Sequence, residues 1–184
     1  MGKTRTGLSV FWPDDGLDEG PMMLLKTCEI GPDETLGDVY FKKLFPMGVD
    51  AMIEGLDLVK AGVIIKHDQR LENGSYESWF GKESAEIDWS KPAIDVYNMI
   101  RAANPAPGAW TTIAGSELKI YDSARADGTG IAGEVVSVGG DGVTVQAEGG
   151  RILIKRVRPT GGGKMAASEW AAAVGINSGT KLGS

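Results

Sequence analysis

The 184-residue chain holds one cysteine, Cys28, and one histidine, His67. A single cysteine excludes an internal disulfide, and one Cys plus one His cannot complete a structural zinc site of Cys/His ligands. A Ser-His-Asp or Cys-His nucleophile would have to use His67. That residue lies in the polar connection Ile65-Lys66-His67-Asp68-Gln69, which carries no nucleophile signature and reads as surface. Aromatic residues make up 7% of the chain, and three of them, Tyr76, Trp79 and Phe80, could stack on a ligand. No apolar run approaches the roughly 20 residues that span a bilayer, so no membrane partner is expected. Met1–Thr6 has basic residues without an apolar stretch behind them, so a cytoplasmic location is expected.

Charge is unevenly spread. Residues 1–90 carry 9 Lys+Arg against 17 Asp+Glu, and residues 91–184 carry 10 against 8, within a net charge of −6. The change of sign near Ser90 suggests a domain boundary, giving domains 1–90 and 91–184. The second half is only mildly basic, which argues against strong nonspecific nucleic-acid binding.

One stretch concentrates the acidic charge. Between strand-like runs at Gly7–Trp12 and Met22–Ile30 lies Pro13-Asp14-Asp15-Gly16-Leu17-Asp18-Glu19-Gly20-Pro21. Gly, Pro and Asp suit a chain reversal, yet four carboxylates in six residues exceed what a turn needs. A partly buried member would be a candidate acid or base. A solvated acidic loop is the plainer alternative.

Met22-Met23-Leu24-Leu25 is continuously apolar and predicts a strand covered on both faces. Asp33 or Thr35 can cap a following helix in which Leu36, Val39, Tyr40 and Leu44 recur at helical spacing. Pro46 should kink or interrupt it. Val49, Met52, Ile53, Leu56 and Val59 continue a 3.6-residue stripe, read as core, and Gly62 should end it. Val63-Ile64-Ile65 suggests a short strand. Tyr76, Trp79 and Phe80 are expected to anchor a long connection.

Ser90-Lys91-Pro92 reads as the start of a helix capped by Ser90, with Ile94, Tyr97 and Ile100 on its apolar face. Beyond Asn104-Pro105-Ala106-Pro107-Gly108 the texture is all-β. Strands are predicted at 110–114, 117–124, 131–138, 143–147 and 152–157, punctuated by glycines. About five short strands of this kind fit a small Greek-key barrel of the oligonucleotide-binding type. Gly161-Gly162-Gly163-Lys164 lacks the spacing of a phosphate-binding P-loop. A last helix is predicted over 166–174, capped by Gly175. By contrast, residues 1–90 hold too few strands for a closed core and read as the end of an α/β domain.

The run Gly7 to Gly20, with Gly16-Leu17-Asp18-Glu19-Gly20 inside it, resembles the Gly-Leu-Asp-x-Gly loop of folate-dependent formyltransferases. The likeness continues through Ile87-Asp88-Trp89, Ile100-Arg101-Ala102, Pro107-Gly108-Ala109-Trp110, Gly163-Lys164-Met165 and Gly179–Gly183. It leans to methionyl-tRNA formyltransferase and, by Phe11-Trp12-Pro13-Asp14-Asp15-Gly16-Leu17-Asp18, to the hydrolase domain of 10-formyltetrahydrofolate dehydrogenase. The resemblance implies an α/β plus β fold, the C-terminal part of a Rossmann-like formyltransferase domain followed by a small OB-like β-barrel domain. It implies 10-formyltetrahydrofolate as formyl donor and Asp18 as the catalytic carboxylate. It also implies that Asp15, Gly16, Leu17 and Asp18 contact folate, while Asp14 and Glu19 shape the loop.

The family pairs this Asp with an Asn-x-His that has no counterpart in these residues, and His67 lies in the wrong segment to replace it. The chain is therefore expected to be a C-terminal portion that is inactive alone, associating or partly molten through the sheet edge before Gly7. Initiator tRNA is a candidate partner through Arg151, Lys155, Arg156, Arg158 and Lys164. The other readings are a 10-formyltetrahydrofolate hydrolase, a sugar-amine formyltransferase, or a non-catalytic folate- or RNA-binding or assembly module.

Overall fold

A computed structural model describes residues 2–183. The chain divides into two compact units, Lys3–Trp79 and Phe80–Ser184, the latter joined by the extreme N-terminus. This division falls about ten residues before the change in charge at Ser90. The physical reason is burial: Ala85, Ile87 and Trp89 belong to the hydrophobic core of the second unit. The Ile87 N–H also bonds the Trp110 carbonyl at 2.8 Å.

The first unit begins with an antiparallel pair, β1 (Arg5–Phe11) and β2 (Met22–Glu29), in register from Arg5↔Glu29 to Val10↔Leu24. The two strands form a sheet of their own among the described residues. Gly7 is required here because a Cβ would stand 2.3 Å from the Lys26 carbonyl oxygen. The expectation of a two-sided buried strand fails. Met23 is buried, but Leu25 is 61% exposed, and β2 alternates like a one-sided strand.

Next come α1 (Leu36–Val39), a π-helical segment Tyr40–Leu44 and α2 (Phe45–Lys60). Pro46 has no N–H to return to the preceding turn. The helix absorbs this by widening, with the Phe45 N–H bonding the Tyr40 carbonyl five residues back. α2 buries Ala51 and Gly55. A Cβ on Gly55 would come within 3.1 Å of Met23 Sδ, so glycine lets the helix approach the sheet closely. The stripe expected as core is largely open: Val49, Met52, Ile53 and Leu56 are all exposed. Helical periodicity identifies a common face but carries no information on whether anything covers it. Val63–Ile65 forms no strand, and Tyr76, Trp79 and Phe80 are exposed, Trp79 at 97%, so they do not anchor the connection. Among the described residues no helix is long and apolar enough to cross a membrane.

Thr35 caps α1 in a reciprocal capping box. Its Oγ1 accepts from the Asp38 N–H at 3.1 Å, while Asp38 Oδ2 accepts from the Thr35 N–H at 3.0 Å. Hydrogen bonds from Lys42 and Thr35 hold the Asp38 carboxyl well below the usual carboxylate range. Thr35→Ala should cost about 1 kcal/mol in urea unfolding of the chain. A carboxyl depressed on folding stabilises above its unfolded pKa and loses that contribution as pH falls through its folded one. The Asp38 share should therefore be intact above about pH 5 and fade progressively in more acidic solution.

The second unit opens with α3 (Ala93–Ala102), which buries Ala93, Val96, Tyr97 and Ile100 and leaves Ile94 exposed. Ser90 does not cap it. Its hydroxyl donates to Asp88 Oδ1 at 2.6 Å, and Pro92 occupies the cap position with no side-chain bond. The strands are β3 (Ala109–Ile113), β4 (Ser116–Ala126), β5 (Val135–Gly139), β6 (Gly142–Ala147), β7 (Gly150–Pro159) and β8 (Met165–Ala166). α4 (Ala167–Val174) follows and ends at Gly175, whose φ of 74° suits a left-handed cap.

The sheet runs β3-β4-β7-β6-β5, all antiparallel, with β8 beside β7. Ile120, Val143, Val145, Ile152, Ile154 and Val157 are fully buried in its core. Strand pairing does not close the sheet, because β3 and β5 are not joined among the described residues. Instead an irregular C-terminal segment lies between them. The Leu182 N–H bonds the Gly133 carbonyl, and the Gly183 N–H bonds the Thr112 carbonyl, each at 2.8 Å.

Candidate active site

The acidic loop belongs wholly to the first unit and is closed at its base by backbone. The Trp12 N–H bonds the Pro21 carbonyl at 3.0 Å. Gly20 is buried inside this closure, and a Cβ there would sit 1.8 Å from the Trp12 carbonyl oxygen. No other residue fits. Asp14 Oδ1 accepts from the Gly16 N–H at 3.0 Å, an Asx-type turn that gives Asp14 a shaping role. Asp18 has φ 59°, a left-handed conformation that Asp tolerates better than most residues.

Asp14, Asp15, Leu17, Asp18 and Glu19 are all exposed. None of the loop's carboxylates is partly buried in the first unit as described, which agrees with the plainer reading of a solvated loop. Four carboxylates on one loop repel one another, and solvent screens that repulsion.

A strap of chain at 65–69 fastens the loop from one side. The Trp12 indole N–H donates to the Ile65 carbonyl at 2.9 Å. Met22 and His67 exchange backbone bonds at 2.8 and 2.9 Å. The Gln69 side-chain amide donates to the Asp18 carbonyl at 2.8 Å and the Gly20 carbonyl at 2.7 Å. His67 contributes its backbone, and its residue is exposed. No cluster of His, Cys, Asp and Glu that could hold a metal occurs among the described residues.

Beside the loop lies an open cleft of about 600 Å³. Leu17, Asp18, Glu19 and Met22 form one wall, and Gln69 to Leu71 with Asn73 to Glu77 form the other. Of the four residues expected to contact folate, Leu17 and Asp18 line this cleft; Asp15 and Gly16 share the loop outside the lining. The second wall was not legible from the sequence. Asn73-Gly74 signals a turn, but nothing local shows that the turn faces a loop some fifty residues earlier.

A second concentration of chemistry lies in the second unit. Strand register slips between Ile120, Asp122 and Ser123 opposite Ile154 to Val157, leaving Tyr121 and Lys155 as extra residues. The bulge re-phases β7, so Ile152 and Ile154 are buried before it and Val157 after it. Arg156 is thereby exposed and Arg158 half-buried, near Lys164, the residue before β8. Lys164 Nζ stands 3.6 Å from the centre of the Tyr121 ring, and the Arg158 guanidinium lies 5.9 Å from it. Burial, then the neighbouring Arg156 and Arg158 charges, push the Lys164 ammonium below the usual lysine range. Arg151 plays a different part: its Nε donates to Gln146 Oε1 at 3.1 Å and its guanidinium reaches the Thr129 carbonyl at 3.4 Å, bracing a loop.

Comparison with known proteins covers both units. A family model described as "Formyl transferase, C-terminal domain" matches residues 80–175, and one described as "Formyl transferase" matches residues 1–55. The methionyl-tRNA formyltransferase of Geotalea daltonii is 36% identical over 182 residues, covering 99% of this chain and 58% of that protein. The mitochondrial 10-formyltetrahydrofolate dehydrogenase of Mus musculus is 38% identical over 140 residues, covering 76% of this chain and 15% of that protein. The chain thus spans just over half of the first relative's length and a small part of the second's. Among solved structures, HypX from Aquifex aeolicus in complex with tetrahydrofolic acid matches with TM-score 0.70 at 18% identity, over 92% of this chain and 30% of its own. At that identity the likeness concerns the fold. The chain belongs to the formyl transferase family.

Proposed function

We propose that this chain takes part in formyl transfer from 10-formyltetrahydrofolate, with Asp18 as the reaction's carboxylate. The observation that carries the reading is Asp18 itself, in a loop of matching family pattern, held at the lip of a cleft. Leu17, Met22, Leu71 and Tyr76 offer apolar surface there, and Gln69, Arg70 and Asn73 offer polar groups. That mixture and size suit a flat, polar-edged heterocycle such as a pterin.

In the reaction an amine or water adds to the formyl carbon, the C–N bond to the folate nitrogen breaks, and a proton passes from the nucleophile to that nitrogen. In this reading Asp18 would accept and relay that proton. The oxyanion formed on the way needs hydrogen-bond donors, which the family supplies from an Asn-x-His element. No Asn-x-His occurs among these 184 residues. The chain would therefore act together with such an element.

Methionyl-tRNA is the acceptor favoured by the match to a methionyl-tRNA formyltransferase, which covers 99% of this chain and 58% of that protein. Arg156, Arg158 and Lys164 would then meet tRNA phosphates, which makes binding salt-dependent. Water as acceptor, giving a hydrolase, is favoured by the match to a 10-formyltetrahydrofolate dehydrogenase. The barrel-like reading of the second unit as an OB-type domain belongs to the same proposal.

The purified chain should bind 5-formyltetrahydrofolate, a stable stand-in for the donor, in a calorimetric titration. It should show no turnover of 10-formyltetrahydrofolate above the uncatalysed rate. Absence of folate binding would refute the function; clear turnover would refute the need for a separate Asn-x-His element.

A further inference from the structure

The geometry points to Gln69 as the positioning residue of the acidic loop, a role we infer from the two bonds of its side-chain amide. One –NH₂ group donates to the carbonyls of Asp18 and Gly20, the residues flanking Glu19, at 2.8 and 2.7 Å. These are the two backbone positions that define the local shape. Asp18 holds a φ of 59°, and Gly20 is buried with no room for a Cβ.

A left-handed Asp on an exposed loop gains from an external restraint, because no hydrogen bond of its own side chain fixes the backbone there among the described residues. The loop's internal bonds lie elsewhere, at Gly16 to Asp14 and at the Trp12–Pro21 closure. Gln69 is half-buried, and its own chain is tethered two residues earlier through the His67–Met22 bridge. The amide is thus presented from a fixed strap. Because it binds carbonyls, its action requires donor hydrogens and is indifferent to the loop's side chains. The result is that Asp18, which lines the cleft, is held in one backbone conformation.

The consequence for function rests on the formyl-transfer reading, but the clamp itself does not. The test uses the whole chain with Gln69→Met, which keeps length and loses the donors, and Gln69→Lys, which restores donors on a stem of similar reach. Backbone ¹⁵N relaxation at Asp18, Glu19 and Gly20 reports the loop. Gln69→Met should lower the order parameters from about 0.85 to below about 0.6, and Gln69→Lys should keep them high. Affinity for 5-formyltetrahydrofolate should fall about tenfold in Gln69→Met, because binding must then order a loop that is no longer held, and recover in Gln69→Lys. Melting temperature should stay near wild type in both.

Unchanged loop order in Gln69→Met would overturn the proposal. So would an equal fall in melting temperature in both variants, which marks a general structural role. If the loop loosens as expected but the wild-type chain binds no folate, the clamp stands and the formyl-transfer reading falls.

Discussion

Ile154→Ala is expected to destabilise the second unit by about 2–5 kcal/mol, the range for truncating a buried aliphatic side chain. Ile154 is fully buried in β7, the strand flanked by β4 and β6, with Ser123 and Val143 as its register partners. Neighbours on three strands hold the walls of the cavity apart, so collapse around the smaller side chain is limited. Domains of this size have total stabilities of about 5–15 kcal/mol, so the loss is a large share of the whole. It corresponds to a fall in melting temperature on the order of 10–30 °C. Ile131 provides the control. It is 61% exposed, and Ile131→Ala should stay within about 0.5 kcal/mol of wild type. Thermal unfolding followed by circular dichroism separates the two, and a shift below about 3 °C for Ile154→Ala would contradict the assignment of this residue to the core.

The contrast between these two isoleucines shows where local pattern carries information. Both lie in segments predicted as strand, but β5 starts at Val135, after Gly133 turns the chain with φ 78°. Alternation of apolar residues between glycine turns is a property of a few neighbours, and it located β3, β4, β6 and β7 closely. Register defects are less legible. The bulge that leaves Tyr121 and Lys155 unmatched arises from pairing with a strand thirty residues away, and it decides which cations gather at Lys164. The same limit applies to α2. The spacing of Val49, Met52, Ile53 and Leu56 correctly describes one helix face, while its exposure depends on what packs there, which no periodicity records. At the candidate site, the chain reversal at 13–21 was readable because a turn needs its residues in sequence, whereas Asp15, Gly16, Leu17 and Asp18 were singled out by the family resemblance. Gln69 was not, since one glutamine in a polar connection has no local signature. Ser90 failed for a related reason: the helix begins later, at Ala93 with Pro92 in the cap position, which leaves the Ser90 hydroxyl outside the first turn, where it donates to Asp88.

Asp18→Asn is expected to lower formyl transfer by about 10²–10⁴-fold when the chain works with the Asn-x-His element of a methionyl-tRNA formyltransferase supplied alongside it. That loss corresponds to about 3–5 kcal/mol of transition-state stabilisation. Asparagine is chosen because it preserves size and tolerates the left-handed backbone, so the loop and the Gln69 bonds to the Asp18 and Gly20 carbonyls should survive. What disappears is a negative charge and a site that can take up a proton. The affinity for 5-formyltetrahydrofolate should then change by no more than about threefold, because the group acts on the reacting atoms. Glu19→Gln removes an equal charge one residue away on the same exposed loop, and should reduce the rate by no more than about threefold, the scale of a screened surface charge. Comparing the two variants separates a specific carboxylate from the loop's overall field. Equal losses for both would assign the effect to the acidic loop as a whole, and an unimpaired Asp18→Asn would remove Asp18 from the chemistry.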